Sequence, residues 1–273
     1  MRRAAAFALP ALLLAGCAAA SQAPAQTDAL TIENRYPLEY AKQFTVDVCA
    51  GGYDLITIDG SRYLVVPEGA AAPANLDADI TVLQQPIQNI YLVSSSAMDP
   101  IISIGGLGAV ALSGTQAENW YLDAARTAME QGEIAYAGKY SAPDYETILS
   151  ADCGLAIENT MIYHTPEVKE QLEKFGVPVL VERSSYESDP LARMEWVKLY
   201  GILLGRTEEA ERVFDDAVQR IAPLLDEEPT GKTAAFFSIT SNNLATVRKG
   251  GDYVAKMIGL AGGSYVFADL TDS

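Results

Sequence analysis

The sequence of 273 residues is poor in the residue types on which many catalytic and metal sites depend. It has one histidine and three cysteines. It contains no Gly-x-Ser-x-Gly elbow, no Cys-x-x-Cys pair and no His/Cys cluster with zinc-ligand spacing. A Ser-His-Asp or Cys-His arrangement would have to use His164, and a single histidine is more often structural. The sequence therefore predicts neither a catalytic residue nor a cofactor.

Basic residues are also scarce. The chain has 19 Lys and Arg against 36 Asp and Glu, which gives a net charge of −17. Binding to nucleic acid needs a basic surface, so this composition argues against nucleic acid as a partner. So acidic a body is also repelled by anionic lipid headgroups, which favours a protein that stays off the membrane surface.

The only apolar run of note is short and lies at the N-terminus. It follows Arg2 and Arg3 and ends in Leu-Ala-Gly-Cys at residues 14–17. This order is typical of an export signal, and the run is too short to span a bilayer. It resembles a bacterial lipoprotein signal over residues 1–17, which implies cleavage before Cys17 and lipid attachment to that cysteine. An ordinary secretory signal is the alternative. Cleavage removes two positive charges from −17 and leaves −19.

Residues 18–30 are rich in Ala, Ser, Gln and Pro and lack hydrophobic periodicity, which predicts a flexible linker. With Cys17 assigned to lipid, Cys49 and Cys153 remain. An exported pair could form a disulfide. Two cysteines so far apart in sequence are weak evidence for one, and we favour two free buried thiols.

Strand and helix patterns predict an α/β lobe over residues 31–186. Runs rich in β-branched and aromatic residues occur at 44–48, 54–58 and 62–66, and Asp59-Gly60-Ser61 between the last two predicts a β-hairpin. A polar connection covers 67–79. Short apolar runs then occur at 90–93, 109–112, 134–136, 155–157 and 179–181. Helical stretches at 97–104, 119–131, 144–150 and 167–175 separate them, which predicts a parallel sheet with crossover helices.

The alternation ends in connector helices over residues 187–227. Asp189-Pro190 is typical of a helix start, and Gly205 separates a first helix from an amphipathic second helix at 207–225. A strand at 233–239, a helix at 253–261 and a strand at 265–267 follow. These predict the start of a C-terminal α/β lobe over 228–273. So few elements cannot bury a core, so we expect the second lobe to be incomplete and to continue beyond residue 273.

In an open parallel sheet, ligands bind beyond the carboxyl ends of the strands. That rule selects the segments 94–98, 113–121, 138–143, 159–165 and 183–189. They hold an unusual number of aromatic and polar side chains, which predicts a ligand cleft. The candidates are Trp120, Tyr121, Tyr140, Tyr163, His164, Arg183 and Tyr186.

Several segments resemble one protein family. These are the run Gly-Lys-Tyr-Ser-Ala-Pro-Asp-Tyr-Glu-Thr-Ile-Leu at 138–149 followed by Gly-Leu-Ala-Ile at 154–157, and the segments at 172–179, 185–191, 201–205, 246–251, 260–263 and 266–267. In their order and spacing they resemble the substrate-binding proteins of ABC importers for iron-siderophores, haem and cobalamin. The resemblance runs from about residue 90 to the end. The hairpin region before Pro67 lies outside it.

The resemblance implies two α/β lobes joined by a rigid helix, with the ligand between them. It also implies an ABC permease with its ATPase as partners, with an acidic residue on each lobe docking to the permease. The matching positions are Glu167 and Asp252. Arg183 and Arg248 could hold anionic oxygens of the ligand.

The function predicted in this way is a membrane-tethered extracytoplasmic receptor for an iron chelate such as a ferric siderophore. A haem or cobalamin receptor of the same family is the nearest alternative. An extracellular sensor module or an enzyme is an alternative of a different class. We expect no metal ion to be ligated directly by the protein's own side chains.

Overall fold

A computed structural model describes residues 29–225 and 228–271. The predicted signal with Cys17, and residues 18–28 of the predicted linker, lie outside the described residues. None of the described helices has the length and apolar character needed to cross a membrane.

The N-terminal part of the lobe is a five-stranded sheet. Its strands, in spatial order, are β1 (Ile32–Arg35), β2 (Phe44–Cys49), β3 (Tyr53–Ile58), β4 (Ser61–Val66) and β5 (Ile80–Gln84). The first three pairings are antiparallel, and β5 runs parallel to β4. The predicted hairpin is present, with Asp59 at φ +48° and Gly60 at φ +82° as its two turn residues. Positive φ at both positions is the type I′ geometry that Asp-Gly favours.

A second, all-parallel sheet follows. Its main strands are β6 (Ile90–Leu92), β7 (Val110–Ser113), β8 (Ala135–Tyr136), β11 (Ala156–Asn159) and β12 (Val179–Glu182), and a short hairpin of β9 (Gly138–Lys139) and β10 (Ala142–Pro143) lies between β8 and β11. The spatial order is β12-β11-β6-β7-β8. The intervening helices are α1 (Met98–Ser103), α2 (Asp123–Glu130), α3 (Tyr145–Ser150) and α4 (Pro166–Lys174). The predicted α/β class is confirmed.

Alternate residues of the parallel sheet enter two different cores. Ile157 of β11 packs in a core that also includes residues of α1, α2 and the N-terminal sheet. Ala156, its neighbour, packs in a second core with residues of α3 and α4. The sheet is therefore covered on both faces, as its crossover connections require.

Two helices follow the parallel sheet, α5 (Pro190–Leu204) and α6 (Thr207–Leu225). Asp189 caps α5 by accepting a hydrogen bond from the backbone N–H of Leu191, with Pro190 in the first turn, as predicted. Helix α5 is buried over most of its surface. Phe214 of α6 is buried and joins the first core, and Gly205 ends α5 at φ +64°.

Two buried carboxylates, one in α5 and one just before it, hold the segment between β1 and β2 in place. Glu195 accepts hydrogen bonds from the backbone N–H groups of residues 39, 40 and 41, each at 2.8 Å. Glu187 accepts two more from residues 42 and 43, also at 2.8 Å. It also accepts one from the Trp196 indole at 3.2 Å. The Lys198 Nζ forms an ion pair with Glu195 Oε1 at 2.9 Å. The segment between β1 and β2 is therefore bound through three main-chain donors to α5 and through two more to Glu187, just before that helix.

The remaining described elements belong to the predicted second-lobe region. They are β13 (Thr233–Ala234), β14 (Phe237–Ile239), β15 (Ala245–Val247), α7 (Tyr253–Leu260) and β16 (Ser264–Tyr265). The prediction of a single continuous strand over residues 233–239 is wrong, because the structure has two separate strands there. The first part of this segment pairs with β16 and the second part pairs with β15, and residues 235–236 between them belong to neither strand. The strand expected at 265–267 is instead Ser264–Tyr265.

Cys49 and Cys153 are both free and buried, as favoured from the sequence. Burial raises the pKa of the Cys49 thiol to about 11 and also raises that of Cys153. A thiol with a raised pKa is a poor nucleophile at neutral pH, so the surroundings of these cysteines do not activate them.

Candidate functional site

The five main strands of the parallel sheet all end at the same edge, which we call the carboxyl edge. It consists of the segments that follow these strands, 94–98, 113–121, 138–143, 159–165 and 183–189. Because β11 and β12 are neighbours in register, Asn159 and Glu182 reach this edge side by side. The topology thus brings together the segments selected from the sequence.

The carboxyl edge is rich in exposed aromatic and apolar side chains. Tyr121 is 97% exposed, and Tyr163, Tyr186 and Met161 are also exposed. Tyr136, at the end of β8, is a further exposed aromatic that sequence reasoning did not select. Tyr140 is half-buried and His164 is exposed. Large apolar groups are normally withdrawn from water, so their collection at one edge is typical of a binding surface.

Trp120 differs from the other candidates. Its side chain is buried among residues of the first core. Its indole N–H donates to the Ser113 hydroxyl at 3.2 Å, where β7 ends. Trp120 therefore lies beneath the carboxyl edge and supports the segment that carries Tyr121, while its ring does not form part of the exposed surface.

Among the candidates, Arg183 has a side chain that contacts three other side chains. Its Nη1 donates to Asp59 Oδ2 at 2.7 Å, and its Nε donates to Gln43 Oε1 at 3.4 Å. Its guanidinium carbon lies 4.4 Å from the centre of the Tyr186 ring, within cation–π range. The Tyr186 hydroxyl in turn lies 3.4 Å from Thr160 Oγ1. Asp59 and Gln43 were not candidates, because a pairing over so long a sequence separation leaves no local signal.

Glu182 joins two segments of the edge from below. The carboxylate is buried and accepts hydrogen bonds from the Ser94 and Ser96 hydroxyls, each at 2.9 Å. It also accepts one from the backbone N–H of Ser184 at 2.7 Å. These bonds fix the segment after β6 against the segment after β12, so this part of the edge is preorganised.

A second buried carboxyl group lies on the neighbouring strand. Glu158 of β11 is fully buried, and neither carboxyl oxygen has a hydrogen-bond partner. Burial raises its pKa to about 8, so the group is mostly protonated at neutral pH. The pKa of Tyr91 on β6 is raised by burial and by the nearby Glu158, while its hydroxyl donates to the Gly138 carbonyl at 2.8 Å.

The two permease-docking candidates occupy helix N-termini. Glu167 is exposed in the first turn of α4. Asp252 caps α7, where its carboxylate accepts a hydrogen bond from the Val254 N–H at 2.9 Å. Arg248 lies 3.7 Å from Asp252 and lines, with its neighbours, a cavity of about 570 Å³. This cavity belongs to the second-lobe region, so Arg248 is built on different elements from the carboxyl-edge candidates.

Helix α7 nevertheless contacts α5 and its N-cap. The Arg193 guanidinium of α5 stacks over the Tyr253 ring at 3.5 Å, and Lys256 lies 3.7 Å from Asp189.

Within residues 29–225 and 228–271, no group of three or more His, Cys, Asp or Glu is placed to hold a metal ion.

Comparison with solved structures shows what fold these elements form. The periplasmic haem-binding protein HutB of Vibrio cholerae superposes with a TM-score of 0.55 at 17% identity, covering 68% of each chain. A periplasmic binding protein from Veillonella parvula gives a TM-score of 0.56 at 15% identity, covering 80% of this chain and 68% of that one. The chain has the fold of the periplasmic binding proteins.

A third solved structure with this periplasmic-binding-protein fold is a possible iron-binding, periplasmic solute-binding protein from Staphylococcus epidermidis. It has a TM-score of 0.52 at 15% identity, covering 67% of this chain and 68% of that one. Among curated sequences, an uncharacterized lipoprotein of Methanocaldococcus jannaschii is 22% identical over 231 residues, or 79% of this chain. The chain spans 54% of that relative's length. No protein-family model matches the chain.

Proposed function

We propose that the chain is the extracytoplasmic solute-binding component of an ABC importer and that it binds an iron chelate at the carboxyl edge. The observation that carries this proposal is the set of exposed aromatic side chains on one edge of a periplasmic-binding-protein fold. A ligand that covers Tyr121 and Tyr186 would remove their apolar area from water, at about 25 cal/mol per Å².

The ligand class follows from the same side chains. Tyrosine and methionine offer broad apolar contact to a bulky chelate, while Arg183 offers one cationic group that can meet polar oxygens. A ferric siderophore fits this description. Haem and cobalamin are the alternatives, and HutB is itself a haem-binding protein. Arg248, on the second-lobe region, is proposed to approach the ligand from the opposite side.

The proposed domain division assigns each part a task. Residues 1–17 direct export, Cys17 carries lipid, and residues 18–30 link the anchor to the body. The lobe at 31–186, the connector at 187–227 and the second lobe from 228 hold the chelate. Tethering raises the concentration of the receptor near its permease and ATPase, which favours delivery. Glu167 and Asp252 are proposed to dock to the permease.

The test is a fluorescence titration of the complete mature protein with ferrichrome, haemin and cyanocobalamin. The buried Trp120 and Trp196 serve as reporters. The variants Tyr121→Ala and Tyr186→Ala should each weaken binding of the recognised probe by about tenfold, since each loses about 1–2 kcal/mol of buried aromatic contact. The matched control is Phe175→Ala, an exposed aromatic at the end of α4, away from the carboxyl edge.

Binding of one probe that Phe175→Ala leaves unchanged, and that both tyrosine variants weaken, supports the proposal. No binding of any probe would refute the iron-chelate, haem and cobalamin assignments together. Equal affinities for all four proteins would refute the carboxyl edge as the binding surface.

A further inference from the structure

We propose that the N-terminal sheet forms one wall of the ligand-binding edge, and that Asp59 sets the charge that Arg183 presents there. The inference rests on the proposed function and narrows its ligand class to chelates that are neutral or cationic. The sequence segment concerned lies outside the region of family resemblance.

The position of Asp59 follows from the turn that carries it. Asp59 and Gly60 form the two-residue connection between β3 and β4, and Ile58 pairs with Ser61 directly behind them. A two-residue turn at the end of a regular hairpin leaves little freedom to its first residue. The turn therefore holds the Asp59 carboxylate in place, and its Oδ2 lies 2.7 Å from Arg183 Nη1.

A second attachment keeps the sheet against the carboxyl edge. Gln43, just before β2, accepts from Arg183 Nε at 3.4 Å. Its backbone N–H donates to Glu187, which belongs to the same edge segment as Arg183. Two separate parts of the N-terminal sheet thus contact the segment 183–189, so the sheet is a fixed neighbour of the edge.

The contact continues into the candidate ligand surface. Arg183 stacks on Tyr186, and Tyr186 reaches Thr160 in the segment that carries Tyr163. A ligand resting on Tyr186 therefore also meets Arg183 and, through it, Asp59. Asp59 is a positioning residue in this arrangement, because it acts on the ligand through the arginine.

The pairing determines which ligands are favoured. The Arg183 side chain is only 16% exposed, while that of Asp59 is 52% exposed. Arg183 is thus held close to a carboxylate that largely offsets its charge. An anionic ligand must compete with Asp59 for the guanidinium, whereas a neutral or cationic ligand need not. The net charge of −17 acts in the same direction, because it repels anionic ligands from the protein as a whole.

The experiment compares Asp59→Asn with the parent in the complete mature protein. Asparagine accepts positive φ, so the turn is retained while the charge is lost. The matched control is Asp152→Asn. Asp152 is also exposed and has φ +52°, but it lies in the turn before β11, at the opposite edge of the sheet. Both variants change the net charge equally.

The probes are ferrioxamine B, which is cationic, ferrichrome, which is neutral, and ferric enterobactin, which is anionic. We expect Asp59→Asn to strengthen binding of ferric enterobactin relative to ferrichrome by about two- to fivefold, the usual weight of a partly exposed ion pair. Asp152→Asn should leave that ratio unchanged. Modification of Arg183 by phenylglyoxal, followed by mass spectrometry without ligand, should increase in Asp59→Asn and not in Asp152→Asn.

The outcomes separate the two proposals. One outcome is that the parent binds at least one chelate while neither variant differs from it in the relative affinities for the three probes or in the extent of Arg183 modification. In that case the inference is refuted and the proposed function stands. If the parent binds none of the three, the iron-chelate assignment of the proposed function fails and the inference fails with it. A ratio shifted towards ferric enterobactin in Asp59→Asn alone, accompanied by faster Arg183 modification, supports the inference, and a shift towards ferrichrome contradicts it.

Discussion

The protonated carboxyl group of Glu158 predicts that this protein loses stability as the pH rises. The group titrates at about 8 in the folded protein against a reference value of 4.5. The folded state therefore binds more protons than the unfolded state between these two values, so the free energy of unfolding falls across this window. The stabilisation is fully present below pH 4.5 and is lost once the pH passes about 8.

The magnitude follows from the two pKa values. At about 1.4 kcal/mol per pH unit of unequal proton binding, the free energy of unfolding should fall by about 4 kcal/mol between about pH 5 and about pH 9. Two neighbouring groups face Glu158, Tyr91 from β6 and Tyr145 from α3. The pKa of each is raised, first by burial and then by nearby carboxylates. Neither supplies a positive charge that would keep Glu158 ionised.

The assay is urea denaturation at a series of pH values, followed by tryptophan fluorescence. In Glu158→Gln the side chain keeps its shape but does not titrate, so the alkaline loss should shrink by about 4 kcal/mol relative to the parent. Glu182→Gln is the matched control on the adjacent strand. That carboxylate has three hydrogen-bond donors, so its variant should be less stable yet retain the alkaline loss. Parallel pH profiles for the parent and Glu158→Gln would refute the reasoning.

Substitutions at four further positions have defined expectations. Gly201→Ala should lower the free energy of unfolding by about 1–3 kcal/mol, because the new Cβ would lie 2.5 Å from the Ala210 Cβ. Gly259→Ala, where a Cβ meets nothing, should be neutral or stabilising by up to about 1 kcal/mol, and equal urea midpoints for the two variants would contradict this packing argument. Asp189→Ala should cost about 1 kcal/mol by removing the α5 cap, whereas Asp189→Asn should cost less, as thermal unfolding can show. Glu167→Lys should impair uptake in cells while leaving chelate affinity intact, and unimpaired uptake would count against its docking role.

Local patterns explain why much of the fold was predictable. Asp59-Gly60 predicted its hairpin, because a type I′ turn is a local choice of backbone conformation. The alternation of strand and helix patterns predicted the parallel sheet, because parallel strands need crossover connections that helices usually supply. Strand β1 was missed because all four of its residues are exposed, so it has no buried face to create a hydrophobic pattern. Strand β5 was missed because it pairs with β4 across a polar connection.

The segments that form the carboxyl edge could be predicted from the sequence, but the burial and the contacts of their side chains could not. The strand-edge rule placed the segments correctly, since it depends only on strand direction. It could not separate buried Trp120 from exposed Tyr121, which are adjacent in sequence and similar in chemistry. Nor could it find Asp59 beside Arg183, because that contact depends on how two sheets pack. Glu158 and Glu182 were overlooked because charged residues are seldom fully buried.

The two carboxylates that hold the segment between β1 and β2 make the N-terminal sheet inseparable from the lobe. The side chains of Glu195 and Glu187 are buried and accept hydrogen bonds from five main-chain N–H groups of that segment, in addition to those from Lys198 and Trp196. Removal of the sheet by truncation would take away these five donors together with the sheet residues that pack in the first core, which is strongly destabilising. The sheet is therefore not a detachable module. Amides 39–43 should exchange with solvent as slowly as those of α5, in one cooperative unit.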